Sequence, residues 1–317
     1  MYILALLFMF STCLKIFTPL HPLRDAYSNV AFALVNRQIQ SLRNVPVQPR
    51  TRTSTKIYMQ PHPASTIITK HNNATYSQDN MTQFLLHNPE NQDKKLISIS
   101  PGGYKGFYMM GVAAYVKKHY DLSNYIYSGA SAGAWNSLLM TYKGDISIFR
   151  EHITDPTIIG AVSIAEMEQV LKRRLLESFS EKDFDLDRLF IGVTTVERGR
   201  KPSTTIYTRF ENLEDAIDCC IASSHIPFIT GNMTHIYHNL LSFDGGFSKY
   251  PYLVFTKPVL HITPGMWKSF NMPAKIWKDI HEYTTLFSKD RYSFEALYDQ
   301  GYRDAIYRKD ILDKLLL

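Results

Sequence analysis

Cysteine is scarce in this chain, and long hydrophobic runs are missing. Cys13, Cys219 and Cys220 are the three cysteines, and none has the spacing of a C-x-x-C zinc or redox motif. Two adjacent cysteines do not easily pair with each other, so the sequence excludes a disulfide framework. It also gives no pattern for a metal site and none for a cofactor. A chemistry carried by side chains and backbone alone is therefore expected.

Acidic residues are nearly missing from the first part of the chain. Residues 1–80 hold eight basic side chains and two acidic ones, which accounts for the whole net charge of +6. The remainder is balanced in charge, so no folded basic face is predicted and nucleic-acid binding is not expected. The apolar run at residues 2–10 is shorter than the roughly 20 residues that a membrane span needs.

These features divide the chain into three parts. Residues 1–20 are predicted to be a secretory signal or a membrane anchor, although no basic residues precede the apolar run. Residues 21–90 are predicted to be a basic, disordered linker or the transit part of a plastid presequence. Residues 91–317 hold the folded domain. The protein is expected to be membrane-associated and to reach its membrane by the secretory pathway or by plastid import.

The folded part alternates short β-type runs with helical patterns. That alternation is typical of a mainly parallel α/β sheet. Apolar residues recur with helical spacing in three segments, residues 107–115, 164–175 and 213–221. We therefore predict an α/β domain with a central, mostly parallel sheet.

The first chemical motif is LISISPGGYKG, at residues 96–106. A β-type run ends in Pro101, Gly102 and Gly103, and a helical pattern follows. Backbone N–H groups at such a turn, close to a helix N-terminus, can hold a phosphate or the oxyanion of a tetrahedral intermediate. Neither GxGxxG nor a P-loop pattern is present, so the motif alone leaves both uses open.

The second motif is YIYSGASAGAW, at residues 125–135, and it contains the pattern G-x-S-x-G. Gly129, Ser131 and Gly133 follow a β-type run and precede a helical segment. A serine on a tight strand-to-helix turn is exposed to substrate, and the neighbouring backbone passes so close that only glycine fits. The context predicts a nucleophile elbow at Ser131.

The third motif is LLSFDGGFSKY, at residues 240–250. An apolar run leads directly into Asp244, Gly245 and Gly246. Taken alone, this segment favours a type I′ hairpin turn, for which Asp-Gly is a favoured pair.

GGxKG, GASAG and DGG, in this order, resemble the patatin-like phospholipase family. The segment ASSHIPF at residues 222–228 extends the resemblance, which covers roughly residues 95–262. It implies a three-layer α/β/α sandwich and a serine lipid acyl hydrolase with a Ser–Asp dyad, in which Ser131 is the nucleophile and Asp244 the general base. It also implies an oxyanion hole formed at Gly102, Gly103, Tyr104, Lys105 and Gly106.

Two of the three motifs depart from the family pattern. Ser100 and Pro101 stand where the family often has an acid and a further glycine, and no asparagine follows the DGG segment before Pro251. Neither change removes a member of the dyad. The expected partners are an acyl lipid substrate and the surface of a membrane or lipid droplet.

An aspartate is too weak a base in water, with a pKa of about 3.9, unless its surroundings raise that value. Phe243 and Phe247 are the apolar neighbours expected to enclose Asp244. Five aromatic residues near the motifs are candidates to line an acyl channel: Tyr104, Phe107, Tyr108, Trp135 and Phe228.

Two other functions remain open from the sequence. His261 follows a β-type run and has the chain position of the third member of a Ser–Asp–His triad, which predicts an ordinary α/β-hydrolase. A membrane-anchored lipid-binding protein without catalysis is the second alternative. His225, inside the ASSHIPF segment, is predicted to be a hydrogen-bonded core residue.

Overall fold

The computed structural model describes residues 66–70, 91, 93–196, 202–248, 251–253, 257–267 and 293–317, without the side chains of 66–70 and 153. These residues belong to one compact unit, Ala64–Leu317. The signal or anchor predicted at residues 1–20 lies outside the described residues, as does most of the segment 21–90. No helix in the described ranges is both long enough and apolar enough to span a membrane.

Eight strands form a single mixed sheet. The main path through it runs in the order β1-β5-β4-β3-β2-β8, and β7 joins β4 to β6. Strands β8, β2, β3 and β4 are parallel to one another, while β1, β5, β6 and β7 are antiparallel to their neighbours. The strands are β1 Thr66–Lys70, β2 Lys95–Ile99, β3 Tyr125–Gly129, β4 Leu189–Val196, β5 Ser203–Thr208, β6 His235–Tyr237, β7 Leu240–Phe243 and β8 Leu260–Ile262.

Eight α-helices accompany these strands in the described part of the chain. They are α1 Gly106–His119, α2 Ala132–Thr141, α3 Ile148–Ile153, α4 Pro156–Gly160, α5 Ile164–Ser178, α6 Leu213–Ser223, α7 Phe294–Tyr307 and α8 Lys309–Leu316. The three segments with helical spacing of apolar residues lie in α1, α5 and α6, as predicted.

Side-chain capping determines where several helices begin. Ser163, Asn212 and Ser293 precede α5, α6 and α7, and each accepts a hydrogen bond from a backbone N–H of the first turn. Such a cap satisfies one of the four N–H groups that have no partner within a helix. These starts are therefore determined by the local sequence.

The sheet is buried on both faces. Ile97 and Tyr127 belong to a large core that includes α1, α2 and α6, whereas their neighbours Leu96 and Ile126 belong to a second cluster with Phe190. Successive side chains of a strand point to opposite faces, so both faces are covered. The structure thus confirms an α/β/α sandwich with a parallel centre.

The strand β1 lies within the segment predicted to be a linker. It pairs antiparallel with β5, with Thr66 opposite Thr208. The ordered sheet therefore includes five residues of a segment that its composition assigns to a linker.

Candidate active site

Ser131 lies on a sharp turn between β3 and α2. Its backbone has φ 54° and ψ −129°, in the region that favours glycine. A Cβ atom at Gly133 would lie 2.1 Å from the Ile99 carbonyl oxygen, and one at Gly129 would lie 2.2 Å from the Gly133 carbonyl oxygen. The two glycines of the G-x-S-x-G motif are therefore required by close backbone contact.

A second serine holds this turn in place. The backbone N–H of Ser131 donates to Ser223 Oγ at 2.8 Å, and Ser223 Oγ donates to the Gly192 carbonyl at 2.6 Å. Ser223 is the last residue of α6 and Gly192 lies in β4. A strained backbone persists only where its surroundings determine it fully, and these two hydrogen bonds provide part of that support.

Asp244 follows β7 and lies against the same part of the sheet. Its backbone N–H donates to the His225 carbonyl at 2.7 Å, and its carbonyl accepts from Thr194 Oγ1 at 2.9 Å. Gly245 begins a short 3-10 turn, and a Cβ atom there would lie 2.3 Å from the Gly192 carbonyl oxygen. A type I′ hairpin turn, which Asp-Gly also favours, is not what forms here.

The Asp244 carboxyl group is almost completely buried, with 4% of the residue exposed. Burial raises its pKa to about 6, while hydrogen bonds from the Ser131 side chain and the Gly246 N–H act in the opposite direction. The Gly246 N–H donates to Asp244 Oδ1 at 2.6 Å. The carboxylate thus lies beside the Ser131 hydroxyl and is mostly ionised at neutral pH.

The glycine loop lies beside Ser131. It follows β2, and because β2 and β3 are parallel neighbours with Ile99 opposite Gly129, their carboxyl ends meet at one edge. Lys105 N–H donates to the Gly102 carbonyl at 3.1 Å, and Gly106 N–H donates to carbonyls of the same turn. Within the described ranges, the Gly102 and Gly103 amides donate to no backbone carbonyl.

An apolar cavity opens next to Ser131. Its volume is about 110 Å³, and α1, α2 and α5 supply most of its wall. Of the five aromatic residues considered as channel candidates, Tyr104, Phe107 and Trp135 line it. Tyr108 instead donates a hydrogen bond to Asp304 Oδ2 at 2.7 Å, and Phe228 is 60% exposed.

Two histidines considered from the sequence have other neighbours. His261 Nδ1 lies 2.6 Å from Ser98 Oγ, and its ring packs against Tyr252. His225 is buried, as predicted, and burial lowers its pKa to about 4. In the part of the chain that the structure describes, no histidine is a hydrogen-bond partner of the Asp244 carboxylate.

Sequence reasoning missed Glu168, a buried acid that lines the same cavity. One signal was available, since Glu168 shares the helical spacing of Ile164, Leu171 and Leu175 and so falls on the apolar face of α5. Ser223 belongs to the ASSHIPF segment, but the sequence alone does not predict its hydrogen bond with the Ser131 amide. No group of three or more His, Cys, Asp or Glu in the described ranges is placed to hold a metal ion.

Fold and site together define a class of protein. A mixed sheet with a parallel centre, a strand–serine–helix elbow and a buried carboxylate beside the serine are the features expected of a serine hydrolase. The family model described as patatin-like phospholipase matches residues 97–256, about half of the chain. The chain belongs to this family of lipid acyl hydrolases. The comparison with curated proteins found no match.

Proposed function

We propose that the chain hydrolyses carboxylic esters of acyl lipids, as a phospholipase A or an acylglycerol lipase. Ser131 is the nucleophile that forms the acyl-enzyme, and Asp244 is the general base. The observation that carries this proposal is that the Ser131 side chain lies beside the buried Asp244 carboxylate, close enough to lower its pKa.

The pKa of Asp244 suits the role of a base. A general base works best when its pKa lies near the working pH, because it must be ionised and still attract a proton. Burial brings Asp244 to about 6, well above the value of an exposed aspartate. At neutral pH it is therefore mostly ionised and a stronger base than aspartate in water.

The reaction follows from this contact in two halves. Asp244 takes the proton of the Ser131 hydroxyl as its oxygen attacks the ester carbonyl, and the same proton passes to the leaving alcohol when the ester C–O bond breaks. Water then attacks the acyl-Ser131 ester while Asp244 accepts a proton from this water. Ser131 regains a proton from Asp244 as the fatty acid leaves.

The glycine loop supplies the expected oxyanion hole. The amides of Gly102 and Gly103 are the donors of the loop that we assign to the oxyanion, because the Lys105 and Gly106 amides already donate within the turn. Gly103 has φ 51°, a left-handed conformation that residues with a side chain rarely adopt. This conformation orients successive N–H groups of the loop. Tyr104 and Lys105 contribute through the shape of this turn.

Acyl chains are expected to occupy the apolar cavity, and the site is expected to work at a lipid surface. Ile159, Val162 and Phe228 are large apolar side chains exposed to solvent. Val162 lies two residues before Ile164, the first residue of α5, which lines the cavity. A membrane or lipid droplet would cover such side chains, which agrees with a membrane-associated protein.

The Ser–Asp–His alternative is less favoured by the geometry. A triad histidine donates to the acid and accepts from the serine. His261 is instead hydrogen-bonded to Ser98, and Ser131 contacts Asp244 directly.

The deciding experiment treats the full-length chain with a fluorophosphonate probe and follows ester hydrolysis in parallel. Ser131→Ala should abolish labelling, and Asp244→Ala should lower turnover by about 10²–10⁴. His261→Ala should retain both labelling and turnover. Ser147→Ala changes an exposed serine, serves as the control, and should retain both properties as well.

A loss of activity in His261→Ala would support the triad instead. Folded wild-type protein that binds lipid but neither labels nor hydrolyses esters would favour the lipid-binding alternative over any hydrolase.

A further inference from the structure

An acidic side chain lies in the apolar wall of the cavity. Glu168 is 4% exposed and lies on α5 between Ile164 and Leu171, which line the cavity with it. It belongs to the same cavity as Ser131, yet the proposed reaction gives it no task. A buried carboxyl group is costly unless it has hydrogen-bond partners, so its presence needs a reason.

Glu168 lies close to the reacting serine. Its carboxyl group lies beside Trp135 and Ser224, two polar neighbours that act to lower its pKa. Trp135 is one helical turn after Ser131 in α2, and Ser224 follows the serine that holds the Ser131 amide. Ser131, Trp135, Glu168 and Ser224 line the same cavity, so an acyl chain whose ester carbonyl lies at Ser131 would pass Glu168 near its start.

The polar hydrogens of Trp135 and Ser224 have hydrogen-bond acceptors other than Glu168. Trp135 Nε1–H donates to Ser224 Oγ at 3.1 Å, and Ser224 Oγ–H donates to the Cys220 carbonyl at 2.9 Å. Both donors therefore have acceptors of their own. A leucine at position 168 would complete the apolar wall, so the acid is not required to hold these two residues.

The Glu168 carboxyl group is uncharged at neutral pH. Burial is the main cause that raises its pKa to about 8; Ser224 and Trp135 act to lower it, and the nearby Asp244 carboxylate makes a small contribution to the rise. The nearest cation on the same helix, Lys172, is bound by Glu214 and Asp218 at 2.8 and 2.7 Å. A neutral carboxyl group both donates and accepts hydrogen bonds, and it does not act as a counter-ion.

We propose that Glu168 is a specificity-determining residue, whose carboxyl group hydrogen-bonds an uncharged oxygen substituent, a hydroxyl or a carbonyl, on the acyl chain close to the ester. This inference rests on the proposed ester hydrolysis. The surrounding wall is apolar and takes the hydrocarbon, while Glu168 takes the oxygen. A plain acyl chain leaves the buried acid without that partner, so the site discriminates against it.

The test compares three acyl esters of equal chain length with the full-length enzyme. One is unsubstituted, one carries a hydroxyl or oxo group near the ester, and one carries the same group near the methyl end. Wild type should show a kcat/KM about tenfold higher for the group near the ester, as expected for one added hydrogen bond. The group near the methyl end should give no such gain.

Three variants separate recognition from structure. Glu168→Leu should lose the preference and gain on the plain chain, whereas Glu168→Gln should retain it, because an amide also donates and accepts. Glu177→Gln, at an exposed acid on the same helix, is the matched control and should behave as wild type. A wild-type preference that survives in Glu168→Leu overturns the proposal.

An oxo substituent gives a second measurement, whose result should not change with pH if Glu168 has only a structural role. It only accepts hydrogen bonds, so its preference needs the Glu168 proton and should disappear in wild type above about pH 8. Glu168→Gln carries no titrating proton and should keep the preference at the same pH. A preference that is independent of pH in wild type contradicts the assignment.

Binding distinguishes this inference from a failure of the proposed reaction. With Ser131→Ala no ester is cleaved, and the Kd values of the intact esters can be compared by calorimetry. A tighter Kd for the group near the ester, lost in Ser131→Ala/Glu168→Leu, supports the inference even if wild type hydrolyses nothing. Equal Kd values for all three esters overturn it.

Discussion

Asp244 meets two opposing requirements. Burial makes its carboxylate a stronger base, with a pKa of about 6, and the same burial makes the charged form unfavourable in the folded protein. Gly246 N–H and the Ser131 side chain offset part of that cost. In the proposed reaction the residue therefore provides reactivity at the expense of stability, and both effects depend on pH.

The activity of the wild type should fall as the solution becomes more acidic than about pH 6. Below this value Asp244 is protonated and cannot accept the Ser131 proton, so kcat/KM should drop about tenfold for each further pH unit. A pH profile with a soluble ester measures this. An acid limb near pH 4 would mean that Asp244 is not the base or is not buried during turnover.

The stability of Asp244→Asn relative to wild type should also change with pH. Because the folded pKa is raised, the folded wild type binds more protons between about pH 4 and pH 6 and loses stability as pH rises through this window. The variant lacks this loss, so it should gain about 2 kcal/mol on wild type between pH 4 and pH 7. Urea unfolding at both pH values measures the difference, and a pH-independent difference would contradict the assigned pKa.

At the scale of elements, α1 and α7 cross at two glycines. A Cβ atom at Gly111 would lie 2.0 Å from the Tyr298 carbonyl oxygen, and one at Gly301 would lie 1.9 Å from the Tyr108 carbonyl oxygen. The helices therefore approach backbone to backbone. This contact positions α1, which begins at the glycine loop next to Ser131.

Gly301→Ala should destabilise the fold by about 1–3 kcal/mol, because the added methyl group forces the two helices apart. Gly160→Ala is the matched control, since a Cβ atom at Gly160 meets nothing within 4 Å. That control should stay within about 0.5 kcal/mol of wild type. Urea midpoints of the two variants decide the matter, and equal midpoints would mean that the crossing is looser than described.

The whole molecule extends beyond the family match. That match ends at residue 256, whereas α7 and α8 lie at residues 294–316. Tyr298, Ala305 and Leu312 nevertheless belong to the main core, and Tyr120 OH donates to Asp313 Oδ1 at 2.8 Å. The C-terminal helices are thus part of the hydrolase fold in this chain.

Truncating a core residue of α8 should therefore affect the entire domain. Leu312 is completely buried, and Leu312→Ala should cost about 2–5 kcal/mol of unfolding free energy. Leu315 is 41% exposed on the same helix, and Leu315→Ala should cost less than about 0.5 kcal/mol. Thermal unfolding compares them. Similar melting temperatures would show that α8 is not integral to the core.

Motif context predicted most of the fold and the centre of the site. The elbow at Ser131, the loop at Gly102 and Gly103, and the helix α1 are local features, because a turn or a helix start depends on adjacent residues. Periodicity could not reveal that Tyr108 points to Asp304 and away from the cavity, since both positions suit an amphipathic helix. The strand β1 was missed because its polar flanks are typical of linkers.

The sequence by itself determined the family and the local geometry of its motifs. Only the tertiary structure decided that the Ser131 side chain meets Asp244, that burial raises the pKa of Asp244 to about 6, and that Glu168 faces the same cavity. The physical reason is the distance along the chain over which each interaction acts. Backbone sterics act between neighbouring residues, whereas burial and the proximity of charges depend on which distant segments the fold brings together.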